Sequence, residues 1–131
     1  MVHRAACRLA GQVSAVAVLQ APLRGPCRPS RPVSVLQLAG TADDVLPYGG
    51  GPTPEGFDAP PMRAAMARWR RLDRCGHVWR RVAGRAVRER ARCAGGTVAE
   101  LVTVRGAGHD WYGARDGVDA TQAILAFFAE R

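Results

Sequence analysis

The sequence predicts an α/β fold with about three parallel strands and flanking helices. Three short apolar stretches, rich in β-branched residues, have the pattern of strands that are buried on both faces. They cover residues 13–19, 33–38 and 97–104. Helical patterns precede the first strand, separate the second from the third and follow the third, and strands separated by helices favour right-handed parallel crossovers.

The first third of the chain contains a helix and two of these strands. Residues 1–11 are predicted to be helical, with Gly11 as the stop. A connection rich in proline then joins strand 13–19 to strand 33–38. The second strand runs into two acidic residues, Asp43 and Asp44, which therefore lie where α/β folds place their active sites.

The central part contains a loop, a helix and a poorly readable segment. Residues 49–61 are rich in glycine and proline and predict a loop, and Asp58 is a suitable cap for a helix that ends at Gly76. Within residues 77–96 a short strand is predicted at 78–82, whereas 85–92 is charged and predicted to be solvated. The last helix begins after Asp119, with a glutamine three residues on in a capping-box arrangement.

Length and composition are those of one soluble globular domain. The chain has 131 residues, of which 47% are hydrophobic and 23% charged. No apolar run approaches the roughly 20 residues that span a bilayer, so we expect no membrane partner. The first eight residues alternate charged and small apolar groups and lack the apolar core of a signal peptide.

The net charge is +8, and arginine supplies all 19 basic residues. Surfaces that bind nucleic acids usually mix arginine with lysine, so a chain without lysine more simply indicates GC-biased coding. The densest basic stretch, Arg63 to Arg92, contains only Trp69 and Trp79 as stacking groups and no nucleic-acid-binding motif. We therefore expect no nucleic-acid partner, and a basic nucleic-acid-binding module remains an alternative.

Four cysteines are widely spaced along the chain: Cys7, Cys27, Cys75 and Cys93. None forms a C-x-x-C pair, which argues against a zinc site. Four cysteines allow two disulfides in three connectivities. Disulfides would imply an oxidising compartment. Four free thiols in a reducing compartment are the alternative.

Asp43 and His109 are the candidate catalytic residues. Each follows the carboxyl end of a predicted buried strand, and parallel strands bring these ends to the same edge of a sheet. An acid there can accept a hydrogen bond from imidazole and stabilise the imidazolium. Gly106 and Gly108 allow a tight loop around the histidine. The non-catalytic alternatives are that the aspartate only forms a turn and that the histidine is solvated. Asp44 is a rival of Asp43 for the role of the acid.

Two motifs resemble those of polyhydroxybutyrate depolymerase-like and feruloyl esterase-like serine hydrolases of the α/β-hydrolase superfamily. Gly40-Thr41-Ala42-Asp43, followed by Val45, Pro47-Tyr48 and Gly49-Gly50, resembles the acid loop of that family. Gly106-Ala107-Gly108-His109-Asp110-Trp111, with the last helix, resembles its histidine loop. The family often has glycine where Ala107 stands and proline where Tyr112 stands.

The resemblance implies a partial α/β-hydrolase fold, with residues 1–131 as a single C-terminal portion of the domain. It implies a carboxylic ester hydrolase with Asp43 as the triad acid and His109 as the base. Trp111 and Tyr48 would bind the substrate, a polyester or an aryl ester. Such enzymes need no metal or cofactor and are commonly secreted. Cys75 with Cys93 is the preferred disulfide, because these residues flank the segment that leads from the helix to the next strand. Cys7 with Cys27 is the second pair.

One expected element of this family is missing from the sequence. The nucleophile would be a serine in a G-x-S-x-G elbow, which normally precedes a stretch like Met1–Cys7. Ser14, Ser30 and Ser34 lie in strands or in a Pro-rich loop and lack that context. The alternative to an esterase is therefore a truncated, catalytically inert fragment.

Overall fold

The computed structural model describes residues 1–131, with no cis peptide bond. Three helices and seven strands follow one another along the chain. They are α1 (Val2–Arg8), β1 (Ala15–Leu19), β2 (Ser34–Gly40), β3 (Gly51–Pro52), β4 (Asp58–Ala59), α2 (Met62–Leu72), β5 (Val78–Ala83), β6 (Ala86–Arg92), β7 (Val98–Val104) and α3 (Ala120–Ala129). No helix among them is long and apolar enough to cross a membrane.

Five of the strands form one mixed sheet in the order β1-β2-β7-β6-β5. The pairs β1/β2 and β2/β7 are parallel, whereas β7/β6 and β6/β5 are antiparallel. Strands β3 and β4 form a separate two-stranded ribbon. The predicted partial α/β-hydrolase fold of about three parallel strands is therefore wrong. The antiparallel hairpin β5–β6 makes the sheet mixed.

The fold-class prediction fails at residues 85–92, because their charge predicts a solvated segment. Ala86–Arg92 form β6 instead, in which Val87, Glu89 and Ala91 are buried. The arginines between them, Arg88 and Arg90, face the other side and both bind the carboxylate of Glu100, at 2.8 and 3.0 Å. Long arginine stems cover apolar surface while the charged heads pair or reach water, so a basic stretch can still be a half-buried strand.

Two apolar layers enclose the sheet. On one face, α1 and α2 pack through Ala6, Met66 and Trp69 against Val35 and residues of β7. On the other face, α3 packs with the remaining apolar side chains, which include Leu36, Leu38, Val102, Val104, Tyr112 and Phe127. Alternate residues of β2 thus serve opposite layers, as the two-residue period of a strand requires.

A buried histidine links the first helix to the sheet and to α2. His3 Nδ1 accepts a hydrogen bond from the indole N–H of Trp69 at 3.0 Å, and Nε2 lies 2.8 Å from the Ala21 carbonyl and 3.1 Å from Gln37 Oε1. These partners require the neutral tautomer protonated at Nε2. Burial lowers the pKa of His3. Protonation at Nδ1 would face the Trp69 donor, so this contribution to stability is lost as the pH falls below about 6.5.

All four cysteines form disulfides in the structure. Cys7–Cys27 ties α1 to the connection after β1, and Cys75–Cys93 joins the segment after α2 to the end of β6. The pairs are separated by 20 and 18 residues. Loops of that size correspond to about 3 kcal/mol of stabilisation each in the chain-entropy description.

Asp73, at the end of α2, is fully buried and incompletely hydrogen-bonded. Its Oδ1 accepts a long bond of 3.4 Å from the Val33 N–H, and its Oδ2 has no partner. Burial raises the pKa of this carboxyl to about 6. Because the folded-state pKa lies above the unfolded one, the protein loses stability as the pH rises from about 4 through 6.

We expect Asp73→Asn to increase the free energy of unfolding by about 1–3 kcal/mol at pH 8. The amide oxygen can keep the Val33 bond without a buried charge, and the gain should shrink towards zero at pH 4, where wild-type Asp73 is neutral. Urea unfolding at both pH values measures the difference. Asp58→Asn, at an exposed carboxylate, is the control and should change stability little at either pH. Equal stability of Asp73→Asn and wild type at pH 8 would contradict the prediction.

Candidate active site

The acid loop begins where β2 ends. Asp43 lies three residues beyond Gly40 and is 7% exposed. Its Oδ1 accepts hydrogen bonds from the backbone N–H groups of Val45 and Leu46, at 2.9 and 2.7 Å. One carboxylate oxygen is thereby anchored to its own turn, which leaves Oδ2 for another partner. The rival Asp44 is exposed and makes no side-chain bond in the structure.

The histidine loop follows β7, which is the neighbour of β2 in the sheet. Gly106 adopts φ +70°, a left-handed conformation that suits glycine. The loop is bonded directly to the acid loop. The Ala42 N–H donates to the Ala107 carbonyl at 2.9 Å, and the Gly106 N–H donates to Thr41 Oγ1 at 2.8 Å. The parallel pairing of β2 and β7 therefore places both loops at one edge and holds them together.

Asp43 and His109 meet at that edge. His109 Nδ1 lies 2.8 Å from Asp43 Oδ2. A carboxylate can only accept, so Nδ1 carries the proton and Nε2 presents its lone pair. Nε2 has no protein hydrogen-bond partner, and the side chain of His109 is 35% exposed. The pair has the orientation in which an acid fixes an imidazole as a general base.

The two predicted substrate-binding residues differ in their freedom to contact a ligand. The Tyr48 hydroxyl is bonded to Thr103 Oγ1 at 2.7 Å, and the residue is half-buried. Trp111 is 60% exposed, with its indole N–H directed at Thr121 Oγ1 at 3.1 Å. Only Trp111, two residues from His109, presents a large aromatic surface to solvent at this edge.

Two neighbouring residues were missed by sequence reasoning. Tyr112 is buried, its hydroxyl donates to the Gly108 carbonyl at 3.3 Å, and burial raises the pKa of its phenol. Gln20, just after β1, donates from Nε2 to the carbonyls of Gly108 and Asp110. No local pattern distinguishes a single glutamine after an apolar strand, because its partners lie about 90 residues away in the chain.

A groove of about 820 Å³ opens beside the acid loop. Leu46, Leu19 and Phe57 contribute apolar surface, and the guanidinium of Arg24 lies 3.5 Å from the centre of the Phe57 ring. Neither Asp43 nor His109 lines the groove. No group of three or more His, Cys, Asp or Glu side chains is placed to hold a metal ion.

The three serines of this chain lie far from His109. Ser14 is exposed before β1, Ser30 is exposed before β2, and Ser34 is the buried first residue of β2. Ser34 Oγ already accepts a bond from the Val98 N–H at 3.2 Å. These positions are at the amino ends of the parallel strands, and a strand of seven residues is about 20 Å long. None of the three hydroxyls can therefore reach the imidazole.

Comparison with known proteins shows a similarity to an esterase. The chain is 29% identical over 121 residues to feruloyl esterase B from Piromyces equi. The similarity covers 83% of this chain and 22% of that protein, so the chain spans about a fifth of the relative's length. No protein-family model matches the chain. The similarity supports an esterase-like relationship.

Proposed function

We propose that this chain provides the acid and the base of a serine carboxylic ester hydrolase. The observation that carries the proposal is the 2.8 Å contact between Asp43 Oδ2 and His109 Nδ1. Two backbone N–H groups fix the acid, and Nε2 of the base is unpartnered and reachable from solvent. The similarity to a feruloyl esterase supports the same reaction class.

In the proposed reaction His109 Nε2 removes the proton of a serine hydroxyl as its oxygen attacks the ester carbonyl. Asp43 remains ionised and stabilises the imidazolium. The imidazolium then gives its proton to the leaving alcohol, which yields an acyl-enzyme. Water, deprotonated by the same imidazole, releases the carboxylic acid and restores the serine. Every proton transfer passes through Nε2, so the reaction needs no metal or organic cofactor.

The nucleophile, in this proposal, is a serine outside residues 1–131. Ser34 is buried at the opposite end of β2, and Ser14 and Ser30 lie at the same remote edge. An Asp–His pair without a hydroxyl partner has no route to an acyl-enzyme. The 131 residues alone are accordingly inert, and they act as a catalytic part of a longer assembly.

The substrate we propose is an aryl ester of the feruloyl type rather than a polyester. The exposed ring of Trp111 lies two residues from the base, where it can stack on an aromatic acyl group. The name of the similar protein favours the same class. The partner is thus a small ester or an ester-bearing polymer, and we propose neither a nucleic acid nor a membrane as a partner.

The two disulfides suit an oxidising environment. We propose that the protein works outside the cytoplasm, as a secreted enzyme. Cys7–Cys27 and Cys75–Cys93 both brace the helical layer that packs beneath the parallel strands.

Hydrolysis of methyl ferulate and p-nitrophenyl acetate tests the function. The isolated chain is expected to show no rate above background, and His109→Ala should leave that rate unchanged. In any longer natural polypeptide that contains these residues and is active, Asp43→Asn should lower kcat by about 10⁴-fold. His77→Ala, at an exposed histidine far from Asp43 and His109, is the matched control for both the isolated chain and the longer polypeptide.

Two results would contradict different parts of the proposal. Turnover by the isolated chain that His109→Ala abolishes would show that a nucleophile is present among the 131 residues. Activity of the longer polypeptide that survives His109→Ala would remove the assigned base.

A further inference from the structure

We infer that Gln20 is a positioning residue for His109. Its side-chain amide holds the two peptide carbonyls that flank the histidine, those of Gly108 and Asp110. The inference rests on the proposed function, in which His109 is the general base. Gln20 does not contact the imidazole, so its effect is exerted through the backbone of the loop.

The backbone of Gln20 is held in an unusual conformation. It follows β1 directly, with φ +60°, in the left-handed region. Its N–H donates to the Leu38 carbonyl at 2.8 Å, so the chain turns sharply while still paired to β2. Glutamine is not among the residues that favour this region, which are glycine, asparagine and aspartate.

The side chain explains why glutamine stands at a position that glycine would fit without strain. Gln20 is 4% exposed, and its amide nitrogen lies 3.1 Å from the Gly108 carbonyl and in contact with the Asp110 carbonyl. Both amide hydrogens are therefore used, one on each side of His109. A donor group of this length is required by the two acceptors, and it outweighs the unfavourable backbone conformation.

The other bonds of the histidine loop hold its two ends unequally. On the amino-terminal side, Ala107 accepts from the Ala42 N–H, and Gly106 donates to Thr41 Oγ1. At Gly108 the Tyr112 hydroxyl shares the carbonyl with Gln20, at the longer distance of 3.3 Å. The Asp110 carbonyl depends on Gln20 for a side-chain donor. Loss of the amide would free the peptide between Asp110 and Trp111 and weaken the hold on the Gly108 carbonyl, and the imidazole could rotate away from Asp43.

The experiment follows the ring protons of the histidines by ¹⁵N-edited NMR in the 131-residue chain. Wild type should show a low-field Nδ1–H resonance for His109, bonded to Asp43, and an Nε2–H resonance for buried His3. Gln20→Glu keeps the side-chain shape but loses both donors at neutral pH. Gln20→Gly loses the amide and relieves the left-handed strain. Both variants are expected to lose the His109 signal and retain the His3 signal.

The outcomes separate this inference from the proposed function. A His109 signal that persists unchanged in both variants would overturn the positioning role. Absence of the signal in wild type would instead show that the Asp43–His109 pair does not form, which defeats the proposed function and the inference together. Should Gln20→Glu unfold, as loss of the native far-UV circular dichroism would show, the strain-free Gln20→Gly variant decides the matter. In an active longer polypeptide the same variants should lower kcat more than they change KM.

Discussion

Replacement of Trp69 with alanine is expected to lower the free energy of unfolding by about 3–5 kcal/mol. Trp69 is the largest of the fully buried side chains, and it packs in the layer formed by α1, α2 and the sheet. Its removal opens a cavity and leaves His3 Nδ1 without the donor it now has at 3.0 Å. Since domains of this size are stable by roughly 5–15 kcal/mol, the variant should be close to unfolding at room temperature.

Urea unfolding followed by far-UV circular dichroism measures this loss. Trp69→Phe helps to separate the two causes, because it removes the hydrogen bond to His3 but leaves a much smaller cavity than alanine does. We expect it to cost about 1–3 kcal/mol. Trp79→Ala, at a tryptophan that is 68% exposed, is the control and should change stability by no more than about 0.5 kcal/mol. A Trp69→Ala variant as stable as this control would contradict the assigned packing.

Gly40→Ala is expected to destabilise the protein by about 1–3 kcal/mol or more and to disturb the catalytic pair. A methyl group at this position would overlap the Ala107 carbonyl oxygen and lie 2.7 Å from its carbon and 2.8 Å from the Tyr112 hydroxyl. The obstructing atoms belong mainly to backbone, which cannot move aside like the end of a flexible chain. Ala107 accepts the bond from Ala42 that joins the two loops, so we expect relief of the overlap to shift the histidine loop relative to the acid loop and to weaken the contact between Asp43 and His109.

Two measurements check the prediction for Gly40. The urea midpoint should fall, and the low-field Nδ1–H resonance of His109 should weaken even where the variant is folded. Gly49→Ala is the matched control, because a methyl group there meets no atom within 4 Å and the backbone is not left-handed. Wild-type stability together with an intact His109 resonance in Gly40→Ala would show that the loops are not packed as described.

The contact between Asp43 and His109 illustrates what can be predicted from a sequence without structural information. Both residues follow buried strands, and strands β2 and β7 pair in parallel, so their carboxyl ends bring the two loops to one edge. Local signals predict the two positions: apolar runs that end in an acid or lead to a histidine between glycines, and two motifs that resemble those of a serine hydrolase family. The structure joins the two side chains at 2.8 Å, and their catalytic roles remain a prediction.

The fold class could not be predicted in the same way. Residues 86–92 alternate arginine with buried residues, but their charge concealed the two-residue period of a strand. Glu100, which forms salt bridges with both Arg88 and Arg90, lies on β7 and is adjacent to them only after the sheet forms. The antiparallel half of the sheet thus depends on pairings that no short window of sequence contains.

The sequence by itself determined the local elements: the apolar strands, the helix that Asp119 caps through the Gln122 N–H, and the two loops that carry Asp43 and His109. Only the tertiary structure decided the order of the strands, the overlap that requires glycine at position 40 and the amide of Gln20 behind the histidine. The physical reason is the sequence separation over which each kind of interaction acts. Helix caps and strand periodicity act within a few residues, whereas Gln20 and Asp110 are 90 residues apart and meet only through the packing of the whole sheet.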